Sequence, residues 1–279
     1  MFAVCSCADV VDVEMEPKLL HEIGINAEIY ALTVFETEIF VIRGKKSNVK
    51  VFDRTSFEFQ RNVTVENVKE PRDIACCGRS NCLYIVEGTH FGQPREILKI
   101  DKNGNVLKMV WRGNDWRRLS ITDEANLILA VCYKNTLLEI TPDGKLVREI
   151  TLDVPNPRHA VKLTGDRFVV SYDGISGGGI CMVNSKGILM SSCDEAFCTS
   201  DFRPINLAVH IDGSLLVVDE DGGRIILLSS TLEYQREFIS MKHGLRHPRR
   251  LFVDEPNGRL LVCDSNMAAG CILVFDIAG

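Results

Sequence analysis

The sequence predicts an all-β chain, a six-bladed β-propeller of four-stranded antiparallel blades whose ring is closed by an N-terminal strand. Three observations predict it. A unit of one design recurs, its starts lying 41 to 46 residues apart, a spacing in the range of propeller repeats. Inside each unit, short β-branched and aliphatic runs alternate with Gly-, Asn- and Asp-bearing turns, the pattern of strands joined as antiparallel hairpins. No stretch combines helix-period apolar spacing with helix caps.

Residues 16–24, EPKLLHEIG, come first and look like a strand without a blade of its own. Unit starts follow near Ala27 (AEIYALTV), Pro71 (PRDIACC), Trp116 (WRRLSIT), Pro157 (PRHAVKL), Arg203 (RPINLAV) and Pro248 (PRRLFVD). After each first run comes a polar turn, such as TGD at 164–166 or EPNG at 255–258. A second, wholly apolar run succeeds it: LYIV (83–86), LILAV (127–131), FVV (168–170), LLVV (215–218), LLVC (260–263). A third run, such as EILKI (96–100) or RIILL (224–228), leads through a tight turn into a more polar fourth. The sixth unit has only three runs after Pro248. Residues 16–24 are therefore expected to supply its missing strand, which would remove an exposed sheet edge. The whole of 1–279 is expected to be one domain.

With 46% apolar residues in 279, the chain can bury a sizeable core. Its net charge of −6 gives no overall attraction to nucleic acid or anionic membrane, so such binding would need a local basic face. Eleven cysteines occur, without a CxxC or a zinc-type Cys/His spacing. Several lie inside apolar runs (LAVCY, LLVCD, GCILVF) and are expected to be reduced core residues. The opening MFAVCSCADVV lacks a basic segment before its apolar residues. A cytoplasmic, membrane-free protein is expected, with no cofactor and no metal.

The pattern P-R/x-x-apolar, turn, G-x-L-x-V-x-D, loop, R-I-x-x-apolar resembles the NHL-repeat family of six-bladed propellers. The match is best over 203–229, FRPINLAVHIDGSLLVVDEDGGRIILL, good over 157–184 and 248–276, fair over 71–101 and poor in the first unit. It departs at the tripeptide that names the family, where this chain has Gly222-Gly223-Arg224 and Ala269-Gly270-Cys271. Members of that family commonly follow a RING, B-box and coiled coil. This sequence has none of these, so the resemblance implies ligand binding rather than ligase activity.

In a propeller the first strand of each blade lines the central channel. The arginines at or near those strand starts, Arg72, Arg117, Arg118, Arg158, Arg203, Arg249 and Arg250, are thus expected around one mouth. The second runs end in acids, Glu87, Asp173, Asp219 and Asp264. The plainer role of the arginines is to bond those acids and knit the ring together. The sharper one is an arginine-lined face for an acidic peptide or protein, or for single-stranded RNA. Trp111, Arg112 and Trp116 in WRGNDWRR suit an interface or base stacking, or a wedge between blades. His247, beside Arg249 and Arg250, and His159, beside Arg158, complete the candidate ligand-binding set. A metal-dependent lactonase- or lyase-like enzyme using the channel is the competing class, with only Asp73 and Asn206 as oxygen donors at inner-strand starts. No Ser/His/Asp or Cys/His ordering assigns a catalytic residue, and the oligomeric state is not legible.

Overall fold

The computed structural model describes residues 16–277 apart from 45, 89–93, 114–115, 175–176, 194–197, 199–200, 211 and 266–268, and apart from the side chains of Trp116 and Arg117. Strand β1 (Lys18–Gly24) precedes the first blade. Blade 1 is β2 (Ile29–Phe35), β3 (Glu38–Arg43), β4 (Asn48–Asp53) and β5 (Phe59–Thr64). Blade 2 is β6 (Pro71–Cys77), β7 (Cys82–Glu87), β8 (Arg95–Ile100) and β9 (Val106–Gly113). Blade 3 is β10 (Trp116–Ile121), β11 (Leu127–Val131), β12 (Thr136–Ile140) and β13 (Leu146–Thr151). Blade 4 is β14 (Pro157–Leu163), β15 (Arg167–Gly174), β16 (Gly177–Asn184) and β17 (Leu189–Ser192). Blade 5 is β18 (Pro204–Val209), β19 (Leu215–Asp219), β20 (Arg224–Leu228) and β21 (Tyr234–Ile239). Blade 6 is β22 (Pro248–Asp254), β23 (Arg259–Ser265) and β24 (Gly270–Asp276), completed on its outer side by β1 in the order β1-β24-β23-β22.

Each blade is a separate antiparallel sheet, and the inner strands β2, β6, β10, β14, β18 and β22 contact their neighbours all the way round. The chain is an all-β, six-bladed propeller. Among the described residues there is no α-helix. Strand burial explains the graded composition. Second strands such as β11 and β19 are buried at every residue, because adjacent blades cover both of their faces. Fourth strands such as β5 and β13 are mostly exposed and accordingly polar.

The core is a set of wedges between blades rather than one central mass. Cys77 and Cys82 lie between blades 2 and 3, Cys181 between blades 3 and 4, and Cys263 between blades 6 and 1. Burial pushes the Cys181 thiol up to about 12. These cysteines pack as small hydrophobes.

Ring closure rests on β1, whose residues pair with β24 from Lys18 opposite Asp276 to Gly24 opposite Cys271. Beyond the ladder, Ile25 N–H donates to the Gly270 carbonyl at 2.8 Å, and Ile29 N–H to the buried Ser265 Oγ at 2.8 Å. Arg54, in the β4–β5 turn, forms an ion pair with Asp254 at the end of β22.

Candidate functional site

The pairing register slips after the first residue of all six inner strands, between Ile29/Ala31, Pro71/Asp73, Trp116/Leu119, Pro157/His159, Pro204/Asn206 and Pro248/Arg250. Such a bulge leaves a residue unpaired and re-aims the side chains beside it. A proline is tolerated at the strand start for the same reason. The slip sorts neighbouring residues into two layers. Second residues (Tyr30, Arg72, Arg158, Ile205, Arg249) line one mouth of the channel. Third residues (Asp73, His159, Asn206, Arg250) turn inward to the axis and are buried. Arg117 and Arg118 both fall within the wider slip of β10.

The inward layer answers a physical need. The free edge of an inner strand presents backbone N–H and C=O groups to the channel, and buried polar groups require partners. Asp73 Oδ2 accepts from Leu119 N–H at 2.9 Å, His159 Nδ1 from Leu207 N–H at 3.1 Å, and Asn206 Oδ1 from Leu251 N–H at 3.0 Å. In each case a blade donates to the one before it. Arg250 cannot accept, and reaches across the axis from blade 6 to blade 2 instead. Its Nη2 lies 3.0 Å from Asp73 Oδ1, and it also donates to the Leu119 carbonyl at 3.3 Å. This cross-channel pair and its neighbours divide the channel in two.

Above the division, five arginines surround a cavity of about 200 Å³: Arg72, Arg95, Arg118, Arg158 and Arg249, with Ile29, Tyr30 and Ile205. No acid lines it. The counter-charges stand one layer out. Arg72 bonds Glu70 at 2.8 Å with its guanidinium 5.0 Å over the Tyr30 ring. Arg158 pairs with Asp173, and Arg249 lies between Glu28 (3.3 Å) and Glu220 (3.5 Å). Arg118 makes no hydrogen bond or ion pair with any described residue. Its pKa is pushed down to about 10, chiefly by burial and then by the Arg250 charge, against the pull of Asp73 and Glu220.

The acids ending the second strands bond differently from the simplest expectation. Only Asp173 pairs with the arginine that opens its own blade. Glu87 instead accepts from the Lys69 and Glu70 amides, Asp219 from the Arg203 amide, and Asp264 from the Arg246 and His247 amides. Those carboxylates cap the entry loops, so the mouth arginines keep more of their hydrogen-bonding capacity than one acid apiece would leave them.

The remaining sequence candidates lie elsewhere. Arg203 and His247 line an adjoining cleft of about 520 Å³ that shares Arg249 with the mouth. Arg203 is paired there with Glu220 at 3.1 Å and Asp221 at 3.4 Å. Trp111 sits on the outermost strand of blade 2 and packs on the wedge between blades 2 and 3. Exposed Arg112 faces Glu96 at 3.5 Å. The Trp116 and Arg117 side chains lie outside the described residues. Arg250 and His159 are axial, 6% and 3% exposed, rather than on the face. Sequence reading missed Arg95, on a third strand, and Tyr30, in the weakest repeat. A usable signal was Gly88, where a Cβ would stand 2.7 Å from Arg95 Cγ. Asp73 and Asn206, the oxygen donors open to a metal reading, are already engaged. No group of three or more His, Cys, Asp or Glu among the described residues is arranged to hold a metal.

Solved structures share this architecture. An aldose sugar dehydrogenase from Streptomyces coelicolor, solved in its PQQ-bound form, matches with a TM-score of 0.73 at 12% identity, over 94% of this chain and 98% of that one. Virginiamycin B lyase from Staphylococcus aureus matches with a TM-score of 0.63 at 14% identity, over 91% and 87%. The WD40 propeller domain of Doa1 matches with a TM-score of 0.63 at 13% identity, over 93% and 96%. At such identities the likeness is one of fold, and the class it defines is the β-propeller. Within that class no protein family matches this chain by sequence, and no curated protein does. Among the described residues no helix is long and apolar enough to cross a membrane.

Proposed function

We propose that this propeller is a non-enzymatic recognition module, in the manner of the NHL-repeat proteins its pattern resembles, and that its arginine mouth takes an acidic segment of a partner protein. The observation that carries this reading is Arg118. Among the described residues it is a guanidinium without a hydrogen-bonded counter-ion, set in a cavity lined by four further arginines and no described acid. Of the carboxylates near it, Asp73 is held by Arg250 and Glu220 by Arg203 and Arg249. Arg72, Arg158 and Arg249 have acids of their own, which leaves the Arg118 charge without one among the described residues. One carboxylate side chain balances that charge. A run of phosphates would meet the Glu28, Glu70 and Glu220 carboxylates just outside, and the −6 net charge opposes its approach. A protein ligand is therefore favoured over RNA.

The test is fluorescence anisotropy with a labelled decapeptide carrying a single glutamate and a labelled U-rich oligonucleotide, on wild type and Arg118→Ala. The peptide should bind, and the variant should weaken it by roughly 10-fold or more, the worth of a charge-assisted hydrogen bond. An unchanged peptide affinity in Arg118→Ala, no peptide binding at all, or tighter binding of the oligonucleotide would overturn the reading.

A further inference from the structure

We infer that the half of the channel beyond the Arg250–Asp73 pair is a second binding site, for a small molecule with a short apolar body and one carboxylate. Residues three to six of the inner strands enclose there a cavity of about 240 Å³. It opens away from the arginine mouth, since the mouth is lined by the first residues of the same strands. Its volume equals roughly eight waters' share of liquid, enough for a fragment rather than a polymer. Leu32, Ile74, Val161, Leu207 and Phe252 supply much of its apolar lining.

Its inner end is polar and one-sided. Asn206 Oδ1 is used by Leu251 N–H, and His159 Nδ1 by Leu207 N–H. The neutral imidazole therefore carries its proton on Nε2. That Nε2 is buried; the Leu119 carbonyl favours its proton, but no partner stands at full hydrogen-bond geometry. What His159 Nε2, Asn206 Nδ2 and Arg250 offer is N–H. The charge leans the same way: Asp73 balances Arg250, His159 is neutral, and Arg118 beside Arg250 is unbalanced. An under-satisfied buried donor beside the Arg118 and Arg250 charges calls for a hydrogen-bond acceptor with negative charge, and the apolar walls call for an alkyl or aryl body. An amine would meet donors and like charge.

The site shares with the proposed role of the mouth only the charge of Arg118, and one experiment separates them. Titration of the full chain with hexanoate, hexanamide and hexylammonium, followed by calorimetry and methyl NMR, should show saturable hexanoate binding at one per chain. Hexylammonium should bind at least about 10-fold more weakly, given the value of a charge-assisted bond. Ala75→Phe, which fills the lumen, should abolish binding, whereas Arg249→Ala at the mouth should leave it intact. Should Ala75→Phe not fold, intermolecular NOEs from the alkyl chain to the Val161 and Leu207 methyls in wild type decide the matter. Absence of saturable hexanoate binding, equal affinity for hexylammonium, loss on Arg249→Ala, or NOEs confined to other residues would overturn the inference.

Discussion

His159 stays neutral in the folded chain because burial, reinforced by the Arg250 and Arg118 charges, holds its pKa well below the ordinary imidazole value. In the unfolded chain it protonates near pH 6.5. The unfolded state therefore takes up the proton first as pH falls. The stability that the neutral ring contributes is complete above about pH 6.5 and declines below it. Denaturant titrations between pH 7.5 and 5.5 should show wild type losing stability, with a visibly shallower loss in His159→Gln. Identical slopes would show that this imidazole is not the buried group responsible. What the sequence revealed at this scale was the supply of arginines and their place at strand starts. It could not distinguish Arg249 from Arg250, because a one-residue slip in pairing sends one to the mouth and the other to the axis. Nor could it pair Arg250 with Asp73, a contact between blades that are not neighbours.

Among the elements, β1 is the one whose partner lies farthest along the chain. Its single buried residue is Ile23, which enters the wedge between blades 6 and 1 with Ile25, Ile29 and Ile272. Truncating a buried isoleucine to alanine costs about 2–5 kcal/mol, so Ile23→Ala should lower the unfolding free energy by that amount in guanidinium titrations. A change under about 1 kcal/mol, far below that range, would mean that β1 contributes little to closure. The strands themselves were legible, since wholly apolar second runs and polar fourth runs follow directly from blade burial. The closing strand was legible through a deficit, three runs after Pro248 where the other units have four. The bulges were not, because a proline at a strand start is compatible with a regular ladder as well as a slipped one.

At the scale of the whole molecule, the ring is held at its seam by an ion pair as well as by β1. Burial, the largest influence on Asp254, raises its pKa. Hydrogen bonds from Arg54 and Asn257 together with the Arg54 and Arg259 charges outweigh it and leave the carboxyl below its ordinary range. A depressed folded pKa contributes stability above the unfolded value near 3.9, and that contribution is lost as pH falls through the lower folded value. Thermal unfolding of Asp254→Asn should show a loss of about 3 kcal/mol at neutral pH, the lower end for breaking a buried pair. It should also show less further loss than wild type below pH 4. Equal acid sensitivity in the two proteins would place the acid-labile group elsewhere. The six-fold repeat made this architecture readable from spacing alone. The site was less readable, because it arises where the repeats differ: an alanine, an aspartate, two arginines, a histidine and an asparagine occupy one equivalent position.

The strand that closes the ring is made before every blade it helps to join. From Gly24 to its partner Cys271, a ribosome working at about 5–20 residues per second needs roughly 10–50 s. Blades 1 to 5 can assemble in that interval from consecutive hairpins, each local in sequence. Blade 6 cannot, and Arg250 reaches Asp73 only when β22 has emerged. Throughout that time β1 and the inner edge of blade 1 are unpaired strands, the kind of surface that chaperones cover and that otherwise aggregates. The two halves of the channel come into being together, once β22 has emerged, so a nascent chain has a repeating body before it has anything to bind with.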